Sequence, residues 1–365
     1  MLTFEHTTLG QRVLFGSGKA AENLAAETAR LGAKRVMVIA SEFEAEIARK
    51  VTAGIEAALW HDEVVMHVPL EVAERARTAA TENGIDLIVC VGGGSTTGLA
   101  KAVAMTTGIP IVAVPTTYAG SEATNVWGLT EAARKTTGVD DKVLPVTVIY
   151  DAELTLSLPV EMSVASGLNG MAHCVDSLWG PRVDPINAAL AAEGIRALAA
   201  GLPAIKADPS GLKGREQALY GAYLAAVSFA SAGSGMHHKI CHVLGGTFNL
   251  PHAQTHATVL PYVLAFNAPC VPEAEARMAA AFGASTALEG LQELRTRLDA
   301  PKALADYGFT AAGIAEAVEV ALPVIPGNNP RPVTAENLTA LLDAALTGAD
   351  PATLTDQALL EGAAR

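Results

Sequence analysis

The sequence predicts an N-terminal α/β domain built on a parallel sheet, followed by an all-α domain. Up to about residue 150, short apolar runs rich in Val and Ile alternate with helical stretches, a pattern typical of βαβ units. After residue 151 the apolar periodicity is helical and strand candidates almost disappear. A chain of 365 residues also exceeds what one hydrophobic core usually serves. We therefore place one domain at 1–156 and the second at 157–365.

The individual elements are predicted from apolar runs and from the Gly and Pro residues at their ends. Strands are predicted at 11–15, 35–40, 63–68, 85–94, 109–115 and 145–151. The helices between them are predicted at 17–31, 44–59, 71–83 and 95–107. Helices of the second domain are predicted at 160–179, 185–200, 215–232, 236–244, 256–267, 274–282, 287–298 and 311–321.

Composition and charge limit the classes of function. A net charge of −13 argues against nucleic acid or an anionic membrane as the main partner. The first residues lack a basic segment followed by an apolar one, and no apolar run spans the roughly 18 residues of a membrane helix. The four cysteines form no CxxC pair, which favours buried thiols in a reducing compartment. We expect a cytoplasmic enzyme.

Histidines gather in one stretch of the second half. Five of the nine, His237, His238, His242, His252 and His256, fall within twenty residues. His238 and His242 are four apart, so they share one face of a helix. We expect the glycine pair at 245–246 and the LPH sequence at 250–252 to turn the chain back. Imidazoles among apolar residues indicate a metal site, an acid–base site or a cluster of hydrogen-bonded core histidines.

The turn at 92–97, GGGSTT, follows an apolar strand and opens a helix. Glycines let a phosphate approach the backbone, and the helix N-terminus offers free N–H groups. A plain tight βα turn explains a single GGGS equally well. A second hydroxyl-rich turn at 114–122, VPTTYAGSE, follows the next strand along the chain. Neighbouring parallel strands place both turns at one edge of the sheet, which favours a dinucleotide pyrophosphate as the ligand.

Taken together, these motifs resemble the group III, iron-type alcohol dehydrogenase superfamily along essentially the whole chain. The matching residues are GGGS (92–95), PTT…GSE (115–122), DxxLTxxLP (151–159), NxxxH (169–173), HxLGG…LPH (242–252) and NPR (329–331). Within the superfamily, GGGSTTGLAKA and PTTYAGSEAT look most like maleylacetate reductases. The resemblance implies a Rossmann-like nucleotide-binding domain, a helical catalytic domain of the dehydroquinate synthase-like fold, and a homodimer.

The resemblance also implies a site for NADH or NADPH. Ser41 stands where many relatives have an acidic residue facing the adenosine ribose, so NADPH should be tolerated alongside NADH; Glu42, next to it, could restore some preference for NADH. The residues implied to contact the pyrophosphate are Gly93, Gly94, Ser95, Thr116 and Thr117, and those implied to flank the ribose and nicotinamide are Lys135 and Leu156.

Two departures from the metal-binding relatives concern the reaction centre. Those relatives use an Asp and a His on one helix and two later histidines; here His173, His242 and His252 remain, and Asn169 replaces the Asp. A neutral amide is a weak ligand, so we expect catalysis without a metal, although three histidines can hold zinc. The PTTYAGSE turn is one residue shorter and contains Tyr118, which is expected to reshape the pocket.

The expected reaction is reduction of the C=C bond of maleylacetate, a small dianion, to 3-oxoadipate. We expect His242 and His252 to polarise the ketone, His173 to orient or protonate, and His238 and Tyr118 to make secondary contacts. Lys239, Arg182 and Arg331 are candidates for binding the carboxylates, and His67 is expected at the surface or in the sheet. The alternatives are a metal-dependent alcohol dehydrogenase, and a non-catalytic or lyase relative of the same architecture.

Overall fold

The structure is a computed structural model that describes residues 2–131 and 134–355, without the side chains of Arg134 and Lys135. Its strands are β1 Arg12–Phe15, β2 Val36–Ile39, β3 Ala57–His61, β4 Leu87–Gly92, β5 Ile111–Pro115, β6 Val126–Glu131, β7 Arg134–Val139 and β8 Thr147–Tyr150. Its α-helices are α1 Ala20–Leu31, α2 Ala45–Val51, α3 Leu70–Glu82, α4 Gly94–Thr107, α5 Val160–Ser177, α6 Pro185–Ala207, α7 Leu212–Ala232, α8 Met236–Phe248, α9 His252–Asn267, α10 Pro272–Phe282, α11 Ala287–Leu298, α12 Ile314–Ala321 and α13 Ala335–Thr347.

Six strands form one parallel sheet in the order β1-β8-β5-β4-β2-β3. The inner strands β2, β4 and β5 are buried on both faces, which explains their unbroken apolar sequences. Separate apolar clusters cover the two faces of the sheet. The predicted fold class, a parallel α/β domain followed by a helical domain, is confirmed. The boundary at residue 156 stays a prediction.

The third strand lies earlier than predicted. Helix α2 ends at Val51, and β3 pairs with β2 from Ala57, so the strand predicted at 63–68 is wrong. His67 and Val68 have φ of 65° and 50°, a left-handed backbone that a strand cannot accommodate. Thr130 binds this segment through its hydroxyl, which donates to the His67 carbonyl at 2.8 Å, and through its N–H, which donates to the Val68 carbonyl.

The antiparallel hairpin formed by β6 and β7 is not among the elements predicted from the sequence. Trp127 pairs with Gly138, and the Trp127 ring covers that glycine so closely that a Cβ there would meet the ring at 2.5 Å. The hairpin therefore needs a glycine at this position. It projects from the end of β5 beside α4 and α8.

In the helical domain, α5, α6 and α7 pack against one another around the largest apolar cluster. Glycines bring the backbones of α6 and α7 together: a Cβ at Gly201 would lie 2.7 Å from the Ala218 nitrogen, and one at Gly221 would lie 3.0 Å from the Leu198 nitrogen. Among the described residues, α6 alone has the length and composition of a membrane span, but half of its most apolar window is buried inside the protein, as in a core helix. The helix α13 was not predicted.

Helix α8 continues through the glycine pair that was expected to turn the chain. Gly245 and Gly246 lie within α8, so the turn predicted at the glycine pair is wrong, whereas the chain does reverse at the LPH sequence. The helix ends at Phe248, and Asn249 then adopts a left-handed conformation with φ of 54°. Pro251 follows and starts α9 at His252. The reversal between α8 and α9 therefore rests on an asparagine, a residue that tolerates this conformation better than most.

Candidate active site

A cavity of about 430 Å³ lies between the carboxyl edge of the sheet and the helical domain. One wall comes from the glycine turn and the β6–β7 hairpin, including Gly94, Ser95 and Trp127. The opposite wall comes from α5, α7, α8 and the start of α9. The cavity is the right size for a small organic molecule beside one end of a cofactor.

The glycine turn has the geometry of an anion site. Gly92 has φ of 155°, and a Cβ there would meet the Thr96 hydroxyl at 2.4 Å, so only glycine fits. Helix α4 begins immediately afterwards, with no side-chain cap and no acidic residue in its first turn. Gly92 is paired with Pro115, which places the second hydroxyl-rich turn beside the first, and Thr117 packs against Gly93. These residues fit a pyrophosphate bound at the N-terminus of α4.

The other residues implied in cofactor binding do not all lie at the glycine turn or in the cavity. The Thr116 N–H donates to the Gly92 carbonyl, so this residue joins the two turns. Ser41 follows β2, and its hydroxyl donates to the Glu44 carboxylate. Leu156 is exposed and does not line the cavity, whereas Leu158 does. The side chain of Lys135 lies outside the described residues.

Four histidines predicted to act in catalysis line the cavity together: His173 on α5, His238 and His242 on α8, and His252 at the start of α9. The imidazoles of His173 and His238 are stacked, with a centroid distance of 4.8 Å and an interplanar angle of 13°. His242 follows one turn later, with its ring centroid 6.1 Å from that of His238. His238 therefore lies close to both of these histidines, although only a secondary contact is expected of it from the sequence.

Asp176, which the sequence reading missed, orients His238. Its carboxylate accepts the Nδ1–H of His238 at 2.8 Å and the backbone N–H groups of Gly235, His237 and His238 at the start of α8. The indole of Trp179 donates to it as well. The available signal was its position, three residues after His173 on the same helix, which places both side chains on one face.

Burial controls the protonation states of these groups. It lowers the pKa of His173 to about 4, and it lowers the pKa of His238 well below the usual value, with the neighbouring imidazoles adding to the effect. Burial also raises the pKa of Asp176 to about 6 despite its hydrogen-bond donors. At pH 7 the pair is therefore a carboxylate and a neutral imidazole, so the Nε2 of His238 carries a lone pair.

His237 and His256 lie behind this group and do not line the cavity. The Nε2 of His237 is 3.0 Å from the Nδ1 of His256, and the Cys241 sulfur is 3.6 Å from that Nε2. Their donor atoms are close enough to hold a metal ion, but the geometry is equally that of hydrogen-bonded core side chains. Burial lowers the pKa of His237 to about 3, so it is neutral at pH 7.

Tyr118 does not reach the cavity, and the prediction of a contact there is wrong. Its hydroxyl donates to the Thr155 Oγ1 at 3.3 Å and accepts from Arg215 at 3.5 Å. Arg215 is fully buried and also donates to the carbonyls of Thr155 and Pro209. The Tyr118 hydroxyl is thus one of several acceptors around this buried guanidinium.

The cations expected to meet substrate carboxylates lie elsewhere. Arg182 donates to the carbonyls of Ser231 and Ala230, and Arg331 donates to the Leu354 carbonyl and covers the Phe266 ring. Neither these two nor Lys239 lines the cavity. Lys101 does line it, although its ammonium group already donates to the Thr124 carbonyl and hydroxyl and to the Val126 carbonyl.

His67 also lines the cavity, so the expectation that it lies at the surface or in the sheet is wrong. The left-handed segment that contains it brings its ring to α8, where a Cβ at Gly245 would lie 3.8 Å from it. The sequence contained no local signal for this conformation, because a β-branched residue such as Val68 rarely adopts a positive φ.

The donor set is a poor fit for a resident divalent ion. Asn169 is buried one turn before His173, and its Oδ1 has no hydrogen-bond partner. An amide and imidazoles contribute no negative charge. The nearby buried carboxylate, Asp176, is directed at His238 and the N-terminus of α8. A metal here would therefore lack an anionic ligand.

Comparison with known proteins agrees with this architecture. Residues 10–152 match the family model of iron-containing alcohol dehydrogenases, and residues 163–346 match the C-terminal model of the Fe-containing alcohol dehydrogenase family. The chain is 46% identical to the maleylacetate reductase of Sphingobium indicum over 96% of this chain and 100% of the relative.

Solved structures agree as well. The iron-containing alcohol dehydrogenase of Corynebacterium glutamicum is 74% identical, with a TM-score of 0.95, over 97% of this chain and 99% of that chain. The maleylacetate reductase of Agrobacterium tumefaciens is 40% identical, with a TM-score of 0.90, over 96% of this chain and 99% of that one. The chain therefore belongs to the iron-containing alcohol dehydrogenase family, among its maleylacetate reductase relatives.

Proposed function

We propose that the protein is a maleylacetate reductase, which reduces the C=C bond of maleylacetate to 3-oxoadipate with NADH or NADPH. The observation that carries the proposal is the cavity in which an uncapped helix N-terminus at the glycine turn faces a group of histidines. The similarity to maleylacetate reductases over nearly the whole chain supports the choice of substrate.

The glycine turn would hold the cofactor. Gly93, Gly94, Ser95 and Thr117 surround the N-terminus of α4, where N–H groups and the helix dipole stabilise a pyrophosphate. When bound, the reduced nicotinamide supplies a hydride. The sheet edge and the β6–β7 hairpin, with Trp127 in the cavity wall, would line the space beside it.

The histidines would stabilise the substrate's developing charge. A hydride added to the alkene carbon β to the ketone produces an enolate, and a proton at the neighbouring carbon completes the product. Imidazole N–H groups of His242 and His252 are proposed to donate to the ketone oxygen as it becomes an enolate. Because burial lowers the pKa of His173 to about 4, that residue serves as a neutral hydrogen-bonding group, and water is the proton source at neutral pH.

Catalysis would not require a metal. An alcohol dehydrogenase must stabilise an alkoxide, whereas the charge of an enolate is delocalised and needs less stabilisation. The donor set of Asn169, His173, His242 and His252, with His238 between them, contains no carboxylate. The proposed steps therefore involve no metal ion.

The test is the loss of NADH absorbance with maleylacetate, measured after dialysis against EDTA and again with added Fe²⁺ or Zn²⁺. The proposal expects equal rates with and without chelation, and comparable measurements with NADPH give the cofactor ratio. No turnover of maleylacetate by protein that binds NADH would exclude the proposed reaction.

A second candidate is a metal-dependent alcohol dehydrogenase. It is favoured by the 74% identity to the iron-containing alcohol dehydrogenase of Corynebacterium glutamicum. Oxidation of simple alcohols by NAD⁺ that is lost with EDTA and restored by Fe²⁺ or Zn²⁺ would establish this function instead. We further propose a homodimer in the cytoplasm, to be checked by light scattering of the purified protein and by cell fractionation.

A further inference from the structure

We infer that Glu44 selects NADH over NADPH, because its carboxylate accepts hydrogen bonds from the adenosine ribose and repels a 2′-phosphate. The inference rests on the proposed function for the identity of the cofactor. From the sequence, Ser41 and Glu42 are the residues expected to act at that ribose. The structure instead places the carboxylate of Glu44 against the glycine turn.

The carboxylate of Glu44 lies beside the first glycine of that turn. A Cβ at Gly92 would lie 3.1 Å from the Glu44 Oε1. The other carboxylate oxygen, Oε2, accepts a hydrogen bond from the Ser41 hydroxyl, and the Glu44 N–H donates to the Ser41 carbonyl at 3.0 Å. Ser41 lies two residues after the end of β2, so it holds both the backbone and the side chain of Glu44 at the carboxyl edge of the sheet.

The order of the strands places the adenosine half of the cofactor on the side of Glu44. Strand β4 lies between β5 and β2, so the glycine turn has a neighbour on each side. On the β5 side, Thr117 packs against Gly93 and lines the cavity that contains the histidines, where the nicotinamide has to lie for hydride transfer. Residues 40–48 lie outside the cavity lining. With the pyrophosphate at the glycine turn, the adenosine therefore extends over the end of β2, beside Glu44.

A carboxylate at this position distinguishes the two cofactors by charge. It accepts hydrogen bonds from the 2′- and 3′-hydroxyls of a ribose, and such charge-assisted bonds are stronger than those between neutral groups. A 2′-phosphate removes one of these donors and brings about two negative charges close to a third. The segment at 42–44 contains two acidic residues and no basic residue that could bind the phosphate. The binding of NADPH is therefore weakened.

Ser41 acts through Glu44 in this arrangement. A serine in place of an acid would by itself tolerate a 2′-phosphate, but the Ser41 hydroxyl is donated to the Glu44 carboxylate. This partner is a neutral hydroxyl, so it adds no positive charge that would offset the carboxylate. Glu42, the other acid of the segment, is exposed. The acid that many relatives have at position 41 is thus replaced by one that reaches the glycine turn from position 44.

The test compares Glu44→Gln with the same change at two neighbouring acids. Glutamine keeps the size of Glu44 and an acceptor oxygen but removes the charge. Glu46→Gln removes an equal charge at an exposed position in the first turn of α2 and is the matched control. Glu42→Gln tests the acid next to Ser41. The Kd values for NADH and NADPH are measured by fluorescence titration without substrate, and those for ADP and 2′,5′-ADP by competition with NADH.

In the wild type we expect the Kd for NADPH to exceed that for NADH by about tenfold or more at low ionic strength, and this ratio to shrink as added salt screens the charges. In Glu44→Gln the ratio should fall by about tenfold, mainly through tighter binding of NADPH, with a matching shift in favour of 2′,5′-ADP over ADP. Glu46→Gln and Glu42→Gln should change the ratio by less than about twofold, because their charges lie farther from the ribose and are screened by solvent.

Four results would overturn the inference: equal Kd values for NADH and NADPH in the wild type, an unchanged ratio in Glu44→Gln, an equal change in either of the other two variants, or tighter binding of both cofactors by the same factor in Glu44→Gln. The last result would mean that the charge acts on the pyrophosphate. The proposed function is judged separately, because these measurements need no turnover. Protein that reduces maleylacetate but binds both cofactors equally refutes only the selectivity. Protein that shows the expected ratios but never reduces maleylacetate refutes only the reaction.

Discussion

The carboxylate of Asp176 on α5 lies 2.8 Å from the Nδ1 of His238 on α8. This hydrogen bond fixes the tautomer of the imidazole and leaves its Nε2 as an acceptor without a hydrogen-bond partner among the described residues. Asp176 touches neither of the proposed ligands, so its role is to position His238.

Replacing Asp176 by Asn should lower kcat/KM for maleylacetate by about 10- to 100-fold, because an amide can present its NH₂ to Nδ1 and so reverse the tautomer of His238. The effect should appear in kcat and in the pH profile, while the Kd for NADH stays constant. Asp184→Asn removes another buried capping carboxylate, at the start of α6, and serves as the control for stability. Equal losses in the two variants would reduce Asp176 to a structural role.

Tyr118→Phe tests the placement of this side chain outside the cavity. Removing the hydroxyl takes away its bonds to Thr155 and Arg215, so we expect a loss of about 1 kcal/mol in the free energy of unfolding. Because Tyr118 does not line the cavity, kcat/KM should stay within about twofold of the wild-type value. Steady-state kinetics and urea unfolding measure the two quantities. A tenfold loss in kcat/KM with an unchanged free energy of unfolding would mean that Tyr118 acts in the active site.

Asn169→Asp should create a divalent metal site. The Oδ1 of Asn169 is buried without a partner one turn before His173, so a carboxylate there adds the missing anionic ligand to the histidines. We expect Zn²⁺ binding at least tenfold tighter than in the wild type by calorimetry, and a Tm that rises with added Zn²⁺. Asn125→Asp changes another buried asparagine, outside the cavity lining, and should give neither effect. Equal Zn²⁺ affinity in the wild type would mean that the histidines bind metal unaided.

Stability should fall in mild acid because several imidazoles are buried in the neutral form. Burial lowers the pKa of His173 to about 4 and that of His237 to about 3, so the unfolded chain binds protons that the folded chain does not. Their contribution is complete above pH 6.5 and is lost as the pH falls towards 4, at about 1.4 kcal/mol per pH unit for each group. Asp176, with its pKa raised to about 6, acts in the opposite direction and offsets part of the loss.

The measurement is urea unfolding at pH 7 and pH 5. His237→Gln removes one buried titrating group and should make the loss of stability between these pH values smaller than in the wild type. His6→Gln removes a histidine for which burial is incomplete and provides the comparison. An unchanged pH dependence in His237→Gln would mean that His237 is charged in the folded protein.

Local sequence was enough to predict the parallel sheet, because β2, β4 and β5 are short apolar runs with clear ends. It failed where contacts distant in sequence determine the backbone. The positive φ of His67 and Val68 depends on Thr130, and the β6–β7 hairpin depends on Trp127 covering Gly138. Neither contact has a periodic pattern.

The histidine motifs predicted the location of the cavity but not the partners of its side chains. His238 was ranked below His242, because spacing along a helix does not show that Asp176 on another helix binds one of them. Tyr118 was misplaced for the same reason, since its partner Arg215 lies 97 residues away. Hydrogen-bond partners that lie on different helices can be identified only when the fold is known.

The glycine-lined contact between α6 and α7 fixes the spacing of the helices behind the reaction centre. Helix α7 contributes Phe229, whose ring centroid is 4.7 Å from that of His173 and 4.3 Å from that of His238. A methyl group at Gly201 or Gly221 would separate α7 from α6 and shift this phenyl ring relative to the imidazoles. Substitutions deep in the helical domain, far from any ligand, should therefore change turnover before they change the fold.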